Sequence, residues 1–136
     1  MIDPYGDDGV RDVERELLDV PELPVLDEQP LQVLREIVSD SNFTGLLENW
    51  FVSLAARIER LVGAAAGADL AALCETAHDM SGTCGCFGAL RLGELAWELE
   101  LVCRAGDVAR ARALVRTMVP VTAATRAALR RRYFRH

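Results

Sequence analysis

This chain has few aromatic residues and no segment with the signature of a strand or a membrane span. Aromatic residues make up 6% of its 136 positions, and alanine and leucine, which favour helices, take their place. No stretch alternates apolar and polar residues over a strand's length. No apolar run approaches the length that crosses a bilayer, and the acidic opening does not resemble a signal peptide. We therefore expect a helical protein that has no membrane partner.

Lysine is absent, since all fifteen basic residues are arginine, and the charges are distributed unevenly. Residues 1–30 carry ten acids and two arginines, a balance of −8, whereas residues 101–136 carry nine arginines and one acid, a balance of +8. The two ends can attract each other, or the basic end can meet an acidic partner. No nucleic-acid-binding motif accompanies the basic end and the whole chain is acidic, so we expect no nucleic-acid partner.

Length and cysteine usage restrict the class of protein. A chain of 136 residues, 51% of them hydrophobic, is long enough for one domain with a core and too apolar for disorder throughout. Its four cysteines lie inside apolar helical patterns rather than in a disulfide framework: Cys74, Cys84, Cys86 and Cys103. We expect a reduced, cytoplasmic protein that is a monomer.

Apolar residues recur at helical spacing through most of the chain. The strongest pattern runs from Leu46 to Val62, with an apolar residue every three or four positions. Cap and stop signals separate three further helices after it: Asp69, Gly88, Gly106 and Asp107. Four helices joined by short loops predict an all-α fold, an antiparallel up-down-up-down four-helix bundle over residues 31–136.

Residues 1–30 are predicted to be an acidic extension outside the bundle, partly disordered or forming a short helix. Residues 10–20 have the pattern of a short amphipathic helix, and three prolines between positions 21 and 30 mark a linker with little helical character. A short apolar stripe follows over residues 31–39, and Ser41-Asn42-Phe43-Thr44 is the predicted break and cap before the next helix. One or two extra N-terminal helices are therefore expected.

The run from Ala77 to Gly88 places a histidine among glycines. If this run is helical, Gly82 lies about 40° and Gly85 about 20° from His78 around the helix axis, and the opposite face is apolar. Each glycine inside a helix costs roughly 0.5–1 kcal/mol relative to alanine. Two of them beside a lone imidazole favour a surface shaped for a partner and a covalent role for the ring. The alternatives are that the glycines permit close helix packing, or that the helix breaks at Gly82.

The same run resembles the signature of histidine-containing phosphotransfer (HPt) domains. That signature has a histidine, an apolar residue two positions later, lysine-glycine, a small residue, and a later glycine-alanine that opens the next helix. The matching residues here are His78, Met80, Gly82, Thr83, Gly88 and Ala89. The resemblance covers about residues 31–125.

The resemblance implies a phosphocarrier of a multistep two-component phosphorelay rather than a turnover enzyme. His78 would accept a phosphoryl group from a receiver-domain aspartate and pass it to another receiver. The implied partners are response-regulator receiver domains and a hybrid histidine kinase, with Mg²⁺ on the receiver and no cofactor on this chain. Ser81 and Gly82 would lie beside the phosphoryl group. The docking surface is expected to include four more residues: Cys74, Glu75, Gly85 and Cys86.

Ser81 departs from the family pattern, which has a lysine here that is thought to offset the charge of the phosphohistidine. Serine donates a hydrogen bond but supplies no cation. A nearby arginine can take the place of the lysine, and Arg57 and Arg91 are candidates from the topology. Two other hypotheses stay open: a degenerate adaptor that docks a kinase or receiver without phosphotransfer, and a detached phosphotransfer domain of a chemotaxis-type kinase.

The remaining cysteines and aromatic residues are interpreted as structural. Cys84 and Cys86 lie about 120° and 80° from His78 on opposite sides, so one helix cannot bring all three to a tetrahedral metal ion. No metal site is therefore expected, and Cys84 and Cys103 are interpreted as core residues. A core or partly buried position is also expected for four aromatic residues: Trp50, Phe51, Phe87 and Trp97. No partner is identified for the second ring nitrogen of His78, although Cys74 and Glu75 lie within one turn.

Overall fold

The computed structural model describes residues 24–134, so the predicted helix over residues 10–20 lies outside the described residues. Five helices make up this part of the chain: α1 (Glu28–Ile37), α2 (Asp40–Ala66), α3 (Leu70–Cys86), α4 (Leu90–Arg104) and α5 (Val108–Tyr133). Residues 24–134 contain no strand. None of these helices is both long enough and apolar enough to cross a bilayer.

Helices α2 to α5 form the predicted bundle. Three-residue connections join consecutive helices, which makes each helix the antiparallel neighbour of the next. Packing of α2 on α3, α3 on α4, α4 on α5 and α5 on α2 closes the ring of four. The prediction of an all-α, up-down-up-down four-helix bundle with an extra N-terminal helix is confirmed. In this arrangement α3 and α5 are diagonal to each other.

Local signals define the ends of these helices. The carboxylates of Asp69 and Asp107 each accept a backbone N–H at 3.1 Å, from Ala72 and Arg110, as the sequence predicts. Gly88 has a φ of +66° between α3 and α4, and a Cβ there would lie 2.2 Å from the carbonyl oxygen of Asp27. Both the left-handed backbone and the close approach require glycine at this turn.

The start of the bundle differs from the prediction in two places. Ser39, rather than a residue between 41 and 44, caps α2, and its hydroxyl accepts the N–H of Asn42 at 3.4 Å. The prediction of a break at Ser41-Asn42-Phe43-Thr44 is wrong, because Ser39 supplies an equivalent acceptor earlier in the chain. Pro30 lies in the first turn of α1 instead of a linker. Proline is tolerated there, since an N–H in the first turn has no intrahelical acceptor.

Residues before α1 are fixed to the turn between α3 and α4. The N–H of Asp27 donates to the carbonyl of Gly88 at 2.7 Å, and the N–H of Leu90 donates to the carbonyl of Val25 at 3.1 Å. Leu31 of α1 is fully buried and lies against Gly88. These contacts attach α1 to the end of the bundle at which α3 finishes.

The core confirms most of the structural interpretations and corrects one. Trp50 and Phe51 are buried, and the ring of Trp50 stacks on that of Phe87 with the centroids 4.7 Å apart. Cys84 and Cys103 are also buried. Trp97, by contrast, is 52% exposed, so the expectation of a core or partly buried position is wrong for this residue. It lies on the outer face of α4, whose inner face already supplies Leu95 and Leu99 to the core.

Candidate functional site

His78 projects into solvent from the middle of α3. Its side chain is 69% exposed, whereas the opposite side of the helix is buried through Leu73, Thr76 and Met80. The helix continues without interruption through Gly82 and Gly85 to Cys86. The hypothesis that the helix breaks at Gly82 is therefore wrong, and the angular relation of both glycines to His78 holds.

Gly82 and Gly85 form an open surface beside the imidazole. Both are exposed, and a Cβ at either position would meet no atom within 4 Å. Gly93 on α4 shows the contrasting case, because a Cβ there would lie 3.2 Å from the Cβ of Cys84. Close packing within the described residues thus explains Gly93 but not Gly82 or Gly85, so that second alternative is also wrong. The two glycines leave a flat patch that faces outward.

A buried carboxylate from α4 holds one nitrogen of the His78 ring. Nδ1 lies 3.2 Å from both Oε1 and Oε2 of Glu100, whose side chain is only 9% exposed. When Nδ1 carries the proton, it donates to this carboxylate and Nε2 keeps its lone pair. Glu100 is therefore the partner for the second ring nitrogen, and neither Cys74 nor Glu75 has that position.

Arg104 completes a chain of three polar side chains. It lies one turn after Glu100 on α4, and its Nη2 donates to Oε2 of Glu100 at 2.5 Å. A hydrogen bond with the Cys74 sulfur, followed by the negative charge of Glu100, raises the pKa of the Arg104 guanidinium. A buried carboxylate is unfavourable unless it is paired and hydrogen-bonded. Arg104 and His78 together provide that pairing for Glu100.

The sequence contains two signals for Glu100. Glu100 falls on the buried stripe of α4, in line with Leu92, Ala96 and Cys103, and a carboxylate at such a position needs a partner. In addition, His78 and Glu100 are each eleven residues from Ala89, at the turn between two antiparallel helices. Residues at equal distances before and after such a turn lie at the same height along the two helices. The pairing of His78 with Glu100 is therefore expected once α3 and α4 are recognised as a helical hairpin.

Ser81 points back to its own helix. Its hydroxyl donates to the carbonyl oxygen of His78 at 2.9 Å, and the residue is half-buried. The two arginines suggested from the topology lie elsewhere. Arg57 contacts the hydroxyl of Ser53 and lines a hollow with Asp79. Arg91 precedes Glu100 by nine residues, a rise of about 13 Å along α4.

A groove between α3 and α4 extends from the glycine patch. Its volume is about 460 Å³, and the α3 side includes Ser81, Gly82 and Gly85. The α4 side includes Glu94 and the half-exposed Trp97. Three other residues are expected from the sequence at the docking surface. Glu75 and Cys86 are exposed and Cys74 is half-buried. All three lie on α3, but none of them lines the groove. We call Trp97 and the exposed Leu101, one turn later on α4, the α4 strip.

The cysteines of this region have structural environments. Burial raises the pKa of the Cys84 thiol to about 12, although nearby Arg57 acts in the opposite direction. Burial likewise raises the pKa of Cys103 to about 11. Within residues 24–134, no group of three or more histidine, cysteine or acidic side chains is arranged to hold a metal ion.

Comparison with known proteins shows one family to which the chain is similar. The model of the Hpt domain matches residues 45–132, a range that contains His78, Glu100 and Arg104. The crystal structure of histidine-containing phosphotransfer protein B (HptB) from Pseudomonas aeruginosa PAO1 is similar, with a TM-score of 0.78 and 30% sequence identity. The match covers 83% of this chain and 97% of that chain. No curated protein matches the sequence.

Proposed function

This chain belongs to the family of Hpt domains, and from that membership we propose that His78 carries the phosphoryl group in a two-component phosphorelay. A histidine phosphotransfer role follows from the family, whose members are phosphocarriers rather than turnover enzymes. The assignment to His78 is supported by one observation above all. Its exposed imidazole has one nitrogen held by a buried carboxylate, beside two glycines that packing within the described residues does not require.

The geometry suits attack by Nε2 on an aspartyl phosphate of a receiver domain. The lone pair of Nε2 forms the N–P bond, the P–O bond to the aspartate breaks, and the aspartate leaves as a carboxylate. The ring gains positive charge as the N–P bond forms, because Nδ1 still carries its proton. Glu100, in contact with that N–H, stabilises the developing charge. The reverse step passes the group to the aspartate of another receiver.

The partner is expected to bring the rest of the reaction centre. Phosphoryl transfer needs positioning and charge stabilisation, and we propose that the receiver supplies its Mg²⁺ while this chain supplies the ring and a docking surface. Ser81 and Gly82 lie next to the phosphoryl group in this arrangement. The glycine patch accepts the receiver backbone, and the α4 strip provides apolar contact. A hybrid histidine kinase is the proposed upstream source of the phosphoryl group.

Phosphorylation by purified receiver domains of the same organism tests the proposal. The wild type should acquire label from a phosphorylated receiver, and the label should be acid-labile and base-stable, as an N–P bond is. His78→Gln should acquire none. The chain has two histidines, so His136→Gln is the matched control and should be labelled like the wild type. If His78→Gln were labelled as strongly as the wild type, His78 would be excluded as the phosphorylated residue.

A non-transferring adaptor is the second candidate, and Ser81 is the observation that favours it. The Ser81 hydroxyl is engaged with the carbonyl of His78, and the side chain provides no positive charge to a phosphoryl group. The variant Ser81→Lys separates the two functions. An inert wild type together with an active Ser81→Lys would identify the natural protein as an adaptor, whereas transfer by the wild type would exclude that role.

A further inference from the structure

We propose that Arg104 is a positioning residue for this phosphotransfer, acting through Glu100 and supplying from α4 the positive charge that position 81 lacks. The proposal rests on the proposed function of His78. It concerns the charge balance of three side chains, in which Glu100 lies between the exposed ring and the guanidinium.

The buried carboxylate has two possible sources of compensating charge. One is the imidazole itself, which can take a second proton and form an ion pair with Glu100. In that state both ring nitrogens carry hydrogen, so neither has a lone pair to attack phosphorus. The other source is Arg104, which is always charged. With Arg104 on Oε2, Glu100 can remain ionised and accept from Nδ1 while the ring stays neutral and nucleophilic.

The position of Arg104 is determined by both helices. It contacts Glu100 on α4 and the sulfur of Cys74 on α3, one turn before His78. Cys74 and Arg104 are each fifteen residues from Ala89, so they face each other as His78 and Glu100 do. Glu100 thus links the guanidinium to the ring of His78, because its carboxylate contacts both. The Arg104 side chain is 63% exposed, and its positive charge also attracts the negatively charged phosphoryl group that arrives on His78.

The other arginines in this region lack that geometry. Arg57 contacts Ser53 and lies with Asp79 on the α2 side of α3. Arg110 pairs with Glu98, at 3.8 Å, rather than with Glu100. Arg110 of α5 is therefore a matched control. It pairs with a glutamate of α4, as Arg104 does, but that glutamate is not the one that contacts His78.

The test combines ring-nitrogen NMR with phosphotransfer rates in the full chain at pH 7. In the wild type, ¹⁵N shifts of His78 should place the proton of the neutral ring on Nδ1, the nitrogen that contacts Glu100. Arg104→Gln should shift the ring toward the doubly protonated form and slow labelling by about tenfold, the effect expected when a charged hydrogen bond worth about 1.5 kcal/mol is lost. Arg104→Lys should restore most of the neutral form of the ring and most of the labelling rate. Arg110→Gln should change neither.

A double variant separates charge from folding. If Arg104→Gln lowers stability, a slower rate alone would be ambiguous. Combining it with Glu100→Gln removes both charges, and His78 should then return to the neutral form although the native pair is gone. A neutral ring and an unchanged rate in Arg104→Gln would overturn the proposal. A wild type that is never labelled would instead remove the proposed function, and the NMR arm would still decide whether Arg104 sets the charge of His78.

Discussion

The imidazole of His78 and the carboxylate of Glu100 meet across the interface of α3 and α4, although 22 positions separate them in the chain. Their contact depends on how closely the two helices approach. Gly93 sets that approach nearer the turn, because any side chain there would press against the Cβ of Cys84. A residue without chemistry of its own thus helps to hold the ring in its orientation.

Replacing Gly82 or Gly85 with alanine should stabilise the fold and impair its function. Neither position has a neighbour within 4 Å, and alanine inside a helix is favoured over glycine by roughly 0.5–1 kcal/mol. The midpoint of urea denaturation should therefore rise. The added methyl group projects from the patch beside His78, so labelling by a phosphorylated receiver should slow.

Gly63 of α2 provides the matched control for this pair of effects. It also lies inside a helix with no atom near a Cβ, and it is at the end of the bundle away from the α3–α4 turn. Gly63→Ala should gain the same stability and transfer at the wild-type rate. Faster or unchanged transfer by Gly82→Ala and Gly85→Ala would show that the receiver does not approach this patch.

Trp97→Ala should weaken receiver binding with little effect on folding. The side chain is 52% exposed, so its removal leaves the core intact. An exposed tryptophan at a binding surface commonly contributes about 2 kcal/mol, which corresponds to roughly a 30-fold increase in Kd. Titration calorimetry against the receiver measures the difference. Val119→Ala on α5, diagonal to α3 and 43% exposed, should bind like the wild type. If Trp97→Ala and Val119→Ala both bind the receiver with the affinity of the wild type, the α4 strip is excluded from the interface.

The buried thiols should make stability fall at alkaline pH. The pKa of Cys84 is raised by burial from 9.0 to about 12, so between these values the unfolded chain loses a proton that the folded chain keeps. The stabilising contribution is complete below pH 9 and declines as the pH rises toward 12. Urea midpoints measured at pH 8 and pH 10 should show the decline, with a smaller slope in Cys84→Ala. An identical slope in both proteins would contradict the assigned cause.

Thiol alkylation gives an independent reading of the same environment. At pH 8 a thiol with a pKa of about 12 is ionised in roughly one molecule in ten thousand, and only the thiolate reacts. Iodoacetamide should therefore modify the exposed Cys86 in the native protein and reach Cys84 only after denaturation. Mass spectrometry of peptides from the two conditions measures the difference.

Local patterns in the sequence were sufficient for the helices and for the outward direction of His78. Helical spacing and aspartate caps act over a few residues, so the predicted caps at Asp69 and Asp107 are confirmed. The partner of the ring required a comparison across two helices, which the spacing around His78 alone does not give. Trp97 illustrates a second limit, since aromatic character predicts burial only when the inner face of the helix has room for the ring. Ser39 and Ser41 are both capable of capping α2, and local sequence does not decide between them.

The two tryptophans of the chain have opposite environments. Trp50 is only 4% exposed and stacks on Phe87 inside the bundle, whereas Trp97 is 52% exposed and lines the groove that includes Ser81 and Gly82. An aqueous quencher such as iodide should reach only the indole of Trp97. The protein therefore carries an intrinsic fluorophore at the edge of the proposed docking surface, so that binding of a receiver there should be measurable by fluorescence in the unlabelled chain.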